Sequence, residues 1–454
     1  MFRISYFYLT SIFIVTRLIL YFYLGIHNVQ DISYTWQVLD LQLLKNDLLE
    51  SLLLLHSQPP LWNLFIGLLL KTFDGDQPIF YYFLYIYHTI LTLIIIYITN
   101  KIIFKNNFNQ IKSLFIYFFI IFNPAIIYFE SLNYYAHTIF FLSFLFFYNF
   151  YLYAISSKDK YIIICYIIIL LKTLIWSAYH PVVLIIFYLF LLYAFPAIRK
   201  KKNFLIFFLF LFFSFTWQIK NKIIYDSSLN SFFGFNLAMT VMPAATFPEC
   251  SIGVIPYNSK NLEDKFVKEN LNKLNLDFKH PSIFGEKSKK NSVAMINLSR
   301  SCFNKTLSFI IQNPMSYIKV IIIEFLSTHG QLTIDLGNYI DRPAGWEFIK
   351  KITLKIDNNN HYKLARQLIN FFFISFVYSY FFLKLINRQT LVLDKKFITI
   401  LLLKYFYILN VGLFFSKYEG TRFIYAEYVI FILFFIYIFS KNNSLFLKQS
   451  NSLA

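Results

Sequence analysis

Asp31 comes soon after the end of an apolar run, so its carboxylate is expected at a membrane surface, partly desolvated and more basic than in water. A carboxylate placed there suits a general base taking a proton from an acceptor hydroxyl, or a ligand to a divalent cation. The same stretch carries Asp40, Asp47 and Glu50, followed by His56-Ser57-Gln58-Pro59-Pro60-Leu61-Trp62-Asn63. Two consecutive prolines fix two φ angles and start a helix, here an apolar one from Leu61 to Lys71 that is too short to cross a bilayer. It is expected to lie on the membrane surface. His56 and Gln58 flank its N-terminus, where unpaired amides and the positive dipole end receive an anion.

More polar groups gather where other apolar runs end. Asn123-Pro124 leads to Glu130, Asn133, Tyr134, Tyr135 and His137, and Trp176 leads to Tyr179, His180 and Pro181. Near the C-terminus, Ser416 to Phe423 contains Lys417, Glu419 and Arg422. A guanidinium grips two phosphate oxygens and a lysine adds a point charge, so this last cluster suits a lipid-linked phosphate whose head stays in water. The candidate substrate-binding set is therefore His56, Gln58, Glu130, His180, Lys417, Glu419 and Arg422, with Asp31 as the catalytic candidate.

Apolar segments must hold all of these in place. Of 454 residues 58 % are hydrophobic and only 14 % charged, with a mean hydropathy of +0.55, which excludes a water-soluble enzyme and a disordered chain. The fold expected is an all-α polytopic membrane protein with about ten spans, at 4–25, 78–104, 113–129, 134–155, 161–177, 181–198, 204–224, 366–387, 397–415 and 421–441. If the N-terminus is cytoplasmic, Lys105, Lys112, Lys158, Lys160, the run Arg199 to Lys202, Arg388, Lys395, Lys396, Lys441 and Lys448 fall on one side.

Residues 26–77 and 225–365 then face the other side, the first bearing surface helices and the second a mixed polar cap. The chain divides into a membrane domain at 1–224, that cap, and further spans with a short tail at 366–454. The apolar run Ile318–Leu326 follows Pro314 and contains Lys319 and Glu324, so it is expected to be interfacial. The net charge of +19 reads as basic loops at anionic membrane lipid, with no nucleic-acid partner. Three cysteines are too few for a disulfide scaffold. Cys250 and Cys302 could pair if the cap faces an oxidising compartment, although two separate buried thiols are the preferred expectation.

In chain order, an acid after the first span, the His56-x-x-Pro59-Pro60-Leu61 helix start, short alternating loops and Glu419-x-x-Arg422-Phe423 before the last span resemble a known family. It is the integral-membrane glycosyltransferases of the C structural class, among them protein mannosyltransferase and aminoarabinose transferase relatives. Trp217-Gln218, Ser231 to Ala238, His280-Pro281 and Asn313-Pro314 resemble a bacterial subgroup of it.

The resemblance implies transfer of a sugar, with inversion, from a polyprenyl-phosphate donor to a glycolipid, lipopolysaccharide or protein acceptor. It places the reaction at the periplasmic or extracellular face of a bacterial inner membrane. Asp31 would be the base or a carboxylate of a Mg or Mn site, His56 and Gln58 would shape the pocket, and Arg422 with Lys417 would hold the carrier phosphate. Ile32-Ser33-Tyr34 stands where a second acid is usual, which leaves Glu130 as a substitute. The alternatives are a lipid-linked oligosaccharide transporter or flippase, and an O-antigen polymerase or ligase. Transport needs ionisable groups near mid-span, and the candidates are Arg17, Lys172 and Glu427, each near a span end or isolated.

Overall fold

The computed structural model describes residues 6–23, 32, 37–73, 77–105, 110–194, 201–227, 233–241, 250, 265–329, 425 and 432. All regular structure among them is helical. Helix α1 (Tyr6–Leu18) leads through a wider helical turn to two short helices, α2 (Leu41–Asn46) and α3 (Leu48–Leu53), and then α4 (Pro60–Thr72). The bundle continues with α5 (Gln77–Lys105), α6 (Gln110–Ile121), α7 (Pro124–Ser131), α8 (Ala136–Ser156), α9 (Asp159–Ile175), α10 (Val182–Ala194) and α11 (Lys201–Tyr225). Beyond it lie α12 (Phe233–Val241), α13 (Lys265–Lys273), α14 (Val293–Gln312) and α15 (Pro314–His329).

The bundle is inverted relative to a soluble protein. On α11, Phe204, Leu205, Phe208, Leu209 and Phe212 recur at helical spacing and are exposed, whereas Asn203, Ser214, Gln218 and Asn221 are buried. Helix α5 repeats the arrangement, with Ile79, Tyr82, Phe83, Ile86 and Ile90 outward and His88, Thr92, Thr99 and Asn100 inward. Lipid tolerates apolar side chains but leaves polar ones without partners, so these faces identify a membrane-embedded protein.

The expected number of about ten spans is corrected here. Among the described residues, four helical stretches are long and apolar enough to cross a membrane: Ile79–Phe104, Gln110–Ser131, Ala136–Tyr153 and Lys202–Tyr225. The apolar stretch Tyr6–Phe22 is shorter. The runs at 161–177 and 181–198 yield α9, of 17 residues, and α10, of 13. A turn from Trp176 to Pro181 separates those two, although its tryptophan, tyrosine and alanine keep the local sequence apolar. The expected spans at 366–387, 397–415 and 421–441 lie outside the described residues, apart from Tyr425 and Ile432.

Helix starts follow local chemistry. The Asn123 side chain accepts from Ala125 N (2.8 Å) and Ile126 N (3.4 Å), and Pro124 opens α7 inside the Gln110–Ser131 stretch. Pro60 opens α4 as the sequence predicts. One face of that helix, Trp62, Asn63, Ile66, Gly67, Leu69 and Leu70, is buried and packs against α2 and α9, while Leu68, Lys71 and Thr72 are exposed. Asn63 fixes the preceding loop by accepting from Leu39 N (2.8 Å) and donating to the Gln37 carbonyl (3.0 Å).

The 26–77 and 225–365 segments, both only partly described, pack against each other. Leu54 joins Ile224, Tyr225, Val267, Leu271, Phe278, Ile283, Val293 and Ile296 in one small apolar core. Cys250 and Cys302 form a disulfide, which overturns the expectation of two separate thiols and ties residue 250 to α14. Helix α15 begins at Pro314 and contains the apolar run expected to be interfacial.

Candidate functional site

The junction of α2 and α3 presents two carboxylates to one side. Asp40 caps α2, accepting from Gln42 N (3.0 Å) and Leu43 N (3.3 Å). Asp47 ends that helix with its amide on the Leu43 carbonyl (2.8 Å). Glu50 follows in the first turn of α3, three residues on, which puts both acids on one helical face.

The turn after α13 brings His280 to them. The Ser282 amide donates to His280 Nδ1 (3.2 Å), so Nδ1 is an acceptor in the neutral ring, and Nε2 holds the proton it donates to Asp47 Oδ2 (2.5 Å). The potential ligand atoms of Asp47, Glu50 and His280 all lie within 4.8 Å of one another. Asp47 and Glu50 are half-buried and His280 is buried. Two carboxylates and an imidazole could hold a divalent cation, the nitrogen favouring Mn over the harder Mg. A bound cation would replace the proton shared by His280 and Asp47.

One turn further on, the C-terminus of α3 is held by side chains from distant segments. The last carbonyls of a helix have no partner within it. Here Lys220 Nζ donates to the Leu53 carbonyl (3.0 Å) and to that of Leu55. Trp217 Nε1 also reaches Leu55 O (3.2 Å), and Tyr225 OH reaches Leu54 O (2.7 Å). Asn291 donates to Leu54 O (3.2 Å) and Ser282 O (2.9 Å) while accepting from His56 N (2.8 Å) and Ser57 N (3.0 Å). One amide thus locks the first loop, the His280 turn and the start of α14 together.

His56 is buried edge-on to Tyr225, with ring centroids 4.6 Å apart, and neither ring nitrogen has a partner among the described residues. Burial, then the neighbouring Lys220 charge, lowers its pKa to about 3, so the ring is neutral at physiological pH. Gln58 accepts from Ser177 Oγ (3.1 Å). His180 is half-buried beside Phe215, its Nδ1 accepts from Val182 N (3.4 Å), and burial lowers its pKa.

Glu130 lies elsewhere. It is buried in the bundle, its Oε2 accepting from Arg17 Nε at 2.6 Å, while Arg17 Nη1 donates to the Ile121 carbonyl (2.8 Å). Arg17, read from sequence only as a residue near a span end or isolated, is thus paired within the bundle. Lys172 is also enclosed, donating to Ser143 Oγ (2.6 Å) and lying 3.8 Å over the Tyr179 ring. Asp31, Lys417, Glu419 and Arg422 lie outside the described residues.

Sequence reasoning treats Asp47 and Glu50 as loop acids and His280 as part of a dipeptide. The three-residue spacing of the acids was a usable signal. Nothing local points to a histidine 233 positions from Asp47. No family model, curated protein or solved structure matches this chain. With that result and four span-length helices among the described residues, the resemblance to glycosyltransferases of the C structural class does not stand.

Proposed function

We propose that this protein is a membrane enzyme that binds the phosphate of a lipid-linked donor through a divalent cation at Asp47, Glu50 and His280. The group moved is a sugar, passed from a polyprenyl-phosphate carrier to a lipid, glycan or protein acceptor at the non-cytoplasmic face of a bacterial inner membrane. The observation that carries the reading is the position of the three-ligand cluster, where the first loop meets the segment after α11. A leaving phosphate gains negative charge, and a cation fixed in advance stabilises that charge without reorganising. Lys220 Nζ, bonded to the Leu53 carbonyl (3.0 Å) one turn beyond Glu50, ties α11 to the same junction. In this reading Asp31 takes the acceptor proton, and Arg422 with Lys417 steadies the carrier phosphate. The Cys250–Cys302 disulfide supports an oxidising compartment for the cluster.

The test uses full-length protein in detergent, a panel of polyprenyl-phosphate sugars, and Mg or Mn. Turnover is expected in the wild type and lost in Asp31→Asn, Asp47→Asn and Arg422→Ala, each eluting as a folded monodisperse species. Unchanged turnover in Asp47→Asn, or no product from any donor, overturns the proposal. The buried Arg17–Glu130 pair supports a second reading, transport of a lipid-linked substrate, because ionisable groups within a bundle accompany conduction pathways. Movement of donor across liposomes without product would favour it.

A further inference from the structure

Arg17 of α1, Glu130 of α7, His88 of α5 and Trp62 of α4 form an unbroken series of neighbours inside the bundle, and all four are buried. Arg17 Nε donates to Glu130 Oε2 at 2.6 Å, and the Glu130 carbonyl lies 3.2 Å from His88 Nδ1. The His88 ring runs parallel to Trp62, with centroids 6.5 Å apart. Each of the four retains one buried polar atom with no partner among the described residues: Arg17 Nη2, Glu130 Oε1, His88 Nε2 and Trp62 Nε1.

Their hydrogen-bonding roles follow from chemistry. A carbonyl only accepts, so His88 Nδ1 carries the proton and, in the neutral ring, Nε2 is a bare lone pair. The unmatched atoms are therefore two donors, on Arg17 and Trp62, and two acceptors, on Glu130 and His88. The adjacent His137 is bonded at both nitrogens, to Thr92 Oγ1 (3.0 Å) and to Tyr425 OH (2.6 Å).

We propose that these four atoms border a binding site for hydroxyl groups inside the bundle, occupied by water or by the hydroxyls of a polyol. A hydroxyl both donates and accepts, so it satisfies each kind of atom present. An anion would meet the free oxygen of Glu130, a cation would meet Arg17, and an apolar guest would leave all four atoms unpaired. Water fills such polar recesses readily. Trp62 lies edge-on to Tyr135 (6.1 Å), which packs against Trp176 (5.6 Å), and such aromatic faces suit the C–H groups of a polyol ring. This site is separate from the metal-capable cluster and does not depend on it.

Radiolytic hydroxyl-radical labelling of the full chain in detergent tests the proposal, because buried side chains beside bound water oxidise quickly. The control is Trp217, also buried but with its Nε1 bonded to Leu55 O. Trp62 and His88 are expected to oxidise several-fold faster than Trp217. The excess should disappear in the double variant Arg17→Met with Glu130→Leu. Added free glucose slows labelling of Trp62 if a polyol is the guest and leaves it unchanged if water is. Labelling of wild-type Trp62 no faster than Trp217, or an excess that survives in a folded double variant, overturns the site.

Discussion

His56 shows how one enclosed side chain couples this fold to pH. Its pKa is 6.5 in an unfolded chain and about 3 when folded, so between those values the unfolded chain holds the extra proton. The stability this residue contributes is present above pH 6.5 and is lost as the pH falls toward 3. Unfolding midpoints at pH 7 and pH 4 should therefore drop further for the wild type than for His56→Gln, and equal drops would contradict the assignment. The Arg17–Glu130 pair acts differently. Removing one partner strands a buried charge, so Arg17→Met should cost about 3–5 kcal/mol, and Arg17→Met with Glu130→Leu clearly less. Thermal unfolding of the wild type and these two variants would show this ordering, and a double variant as unstable as the single one would refute it. Neither pair of partners was legible locally: Arg17 and Glu130 stand 113 positions apart, and His56 owes its setting to Asn291 and Lys220. Sequence types mark such residues as unusual in an apolar chain, but the partner is set by tertiary packing.

At the scale of elements, the close crossing of α12 and α14 depends on Gly234. A Cβ there would stand 1.9 Å from the Ser299 carbonyl oxygen and 2.9 Å from the Phe303 amide, both backbone atoms that move only if the helices part. At Gly67 the nearest obstacle is Leu48 Cδ1, at 2.3 Å, the end of a flexible side chain. Overpacking costs about 1–3 kcal/mol or more, and Gly234→Ala should fall at or above the top of that range. Melting temperatures should rank wild type, Gly67→Ala, then Gly234→Ala, and the reverse order of the two variants would show that the crossing is not tight. Helix starts at Pro60 and Pro314 are readable from sequence because proline acts locally, whereas the run expected as one span at 113–129 passes through Pro124, where α7 begins. The placement of α4 is not readable in this way. Its length excludes a span, but only tertiary packing shows that Trp62, Ile66, Gly67 and Leu70 form its buried face.

For the whole molecule, composition establishes membrane embedding but not the number of crossings. In a chain with 58 Phe and 35 Tyr, turns such as Trp176-Ser177-Ala178-Tyr179 are nearly as apolar as helices, so runs merge and lengths are overestimated. The packing of Leu54 in the first loop on residues of α11, α13 and α14 is a contact that no local signal specifies. The disulfide joins the same region and should survive in protein taken from an intact envelope. Mass spectrometry of alkylated peptides would detect Cys250 linked to Cys302, and free thiols at both positions would place that region in a reducing compartment. The account depends most on the junction where Asp47, Glu50 and His280 meet. Pulsed electron paramagnetic resonance of Mn-loaded full-length protein tests it directly. The account predicts one bound Mn with a nitrogen coupling that disappears in His280→Gln, and loss of the bound ion in Asp47→Asn. Failure to bind Mn, or a spectrum unchanged by either substitution, would contradict it.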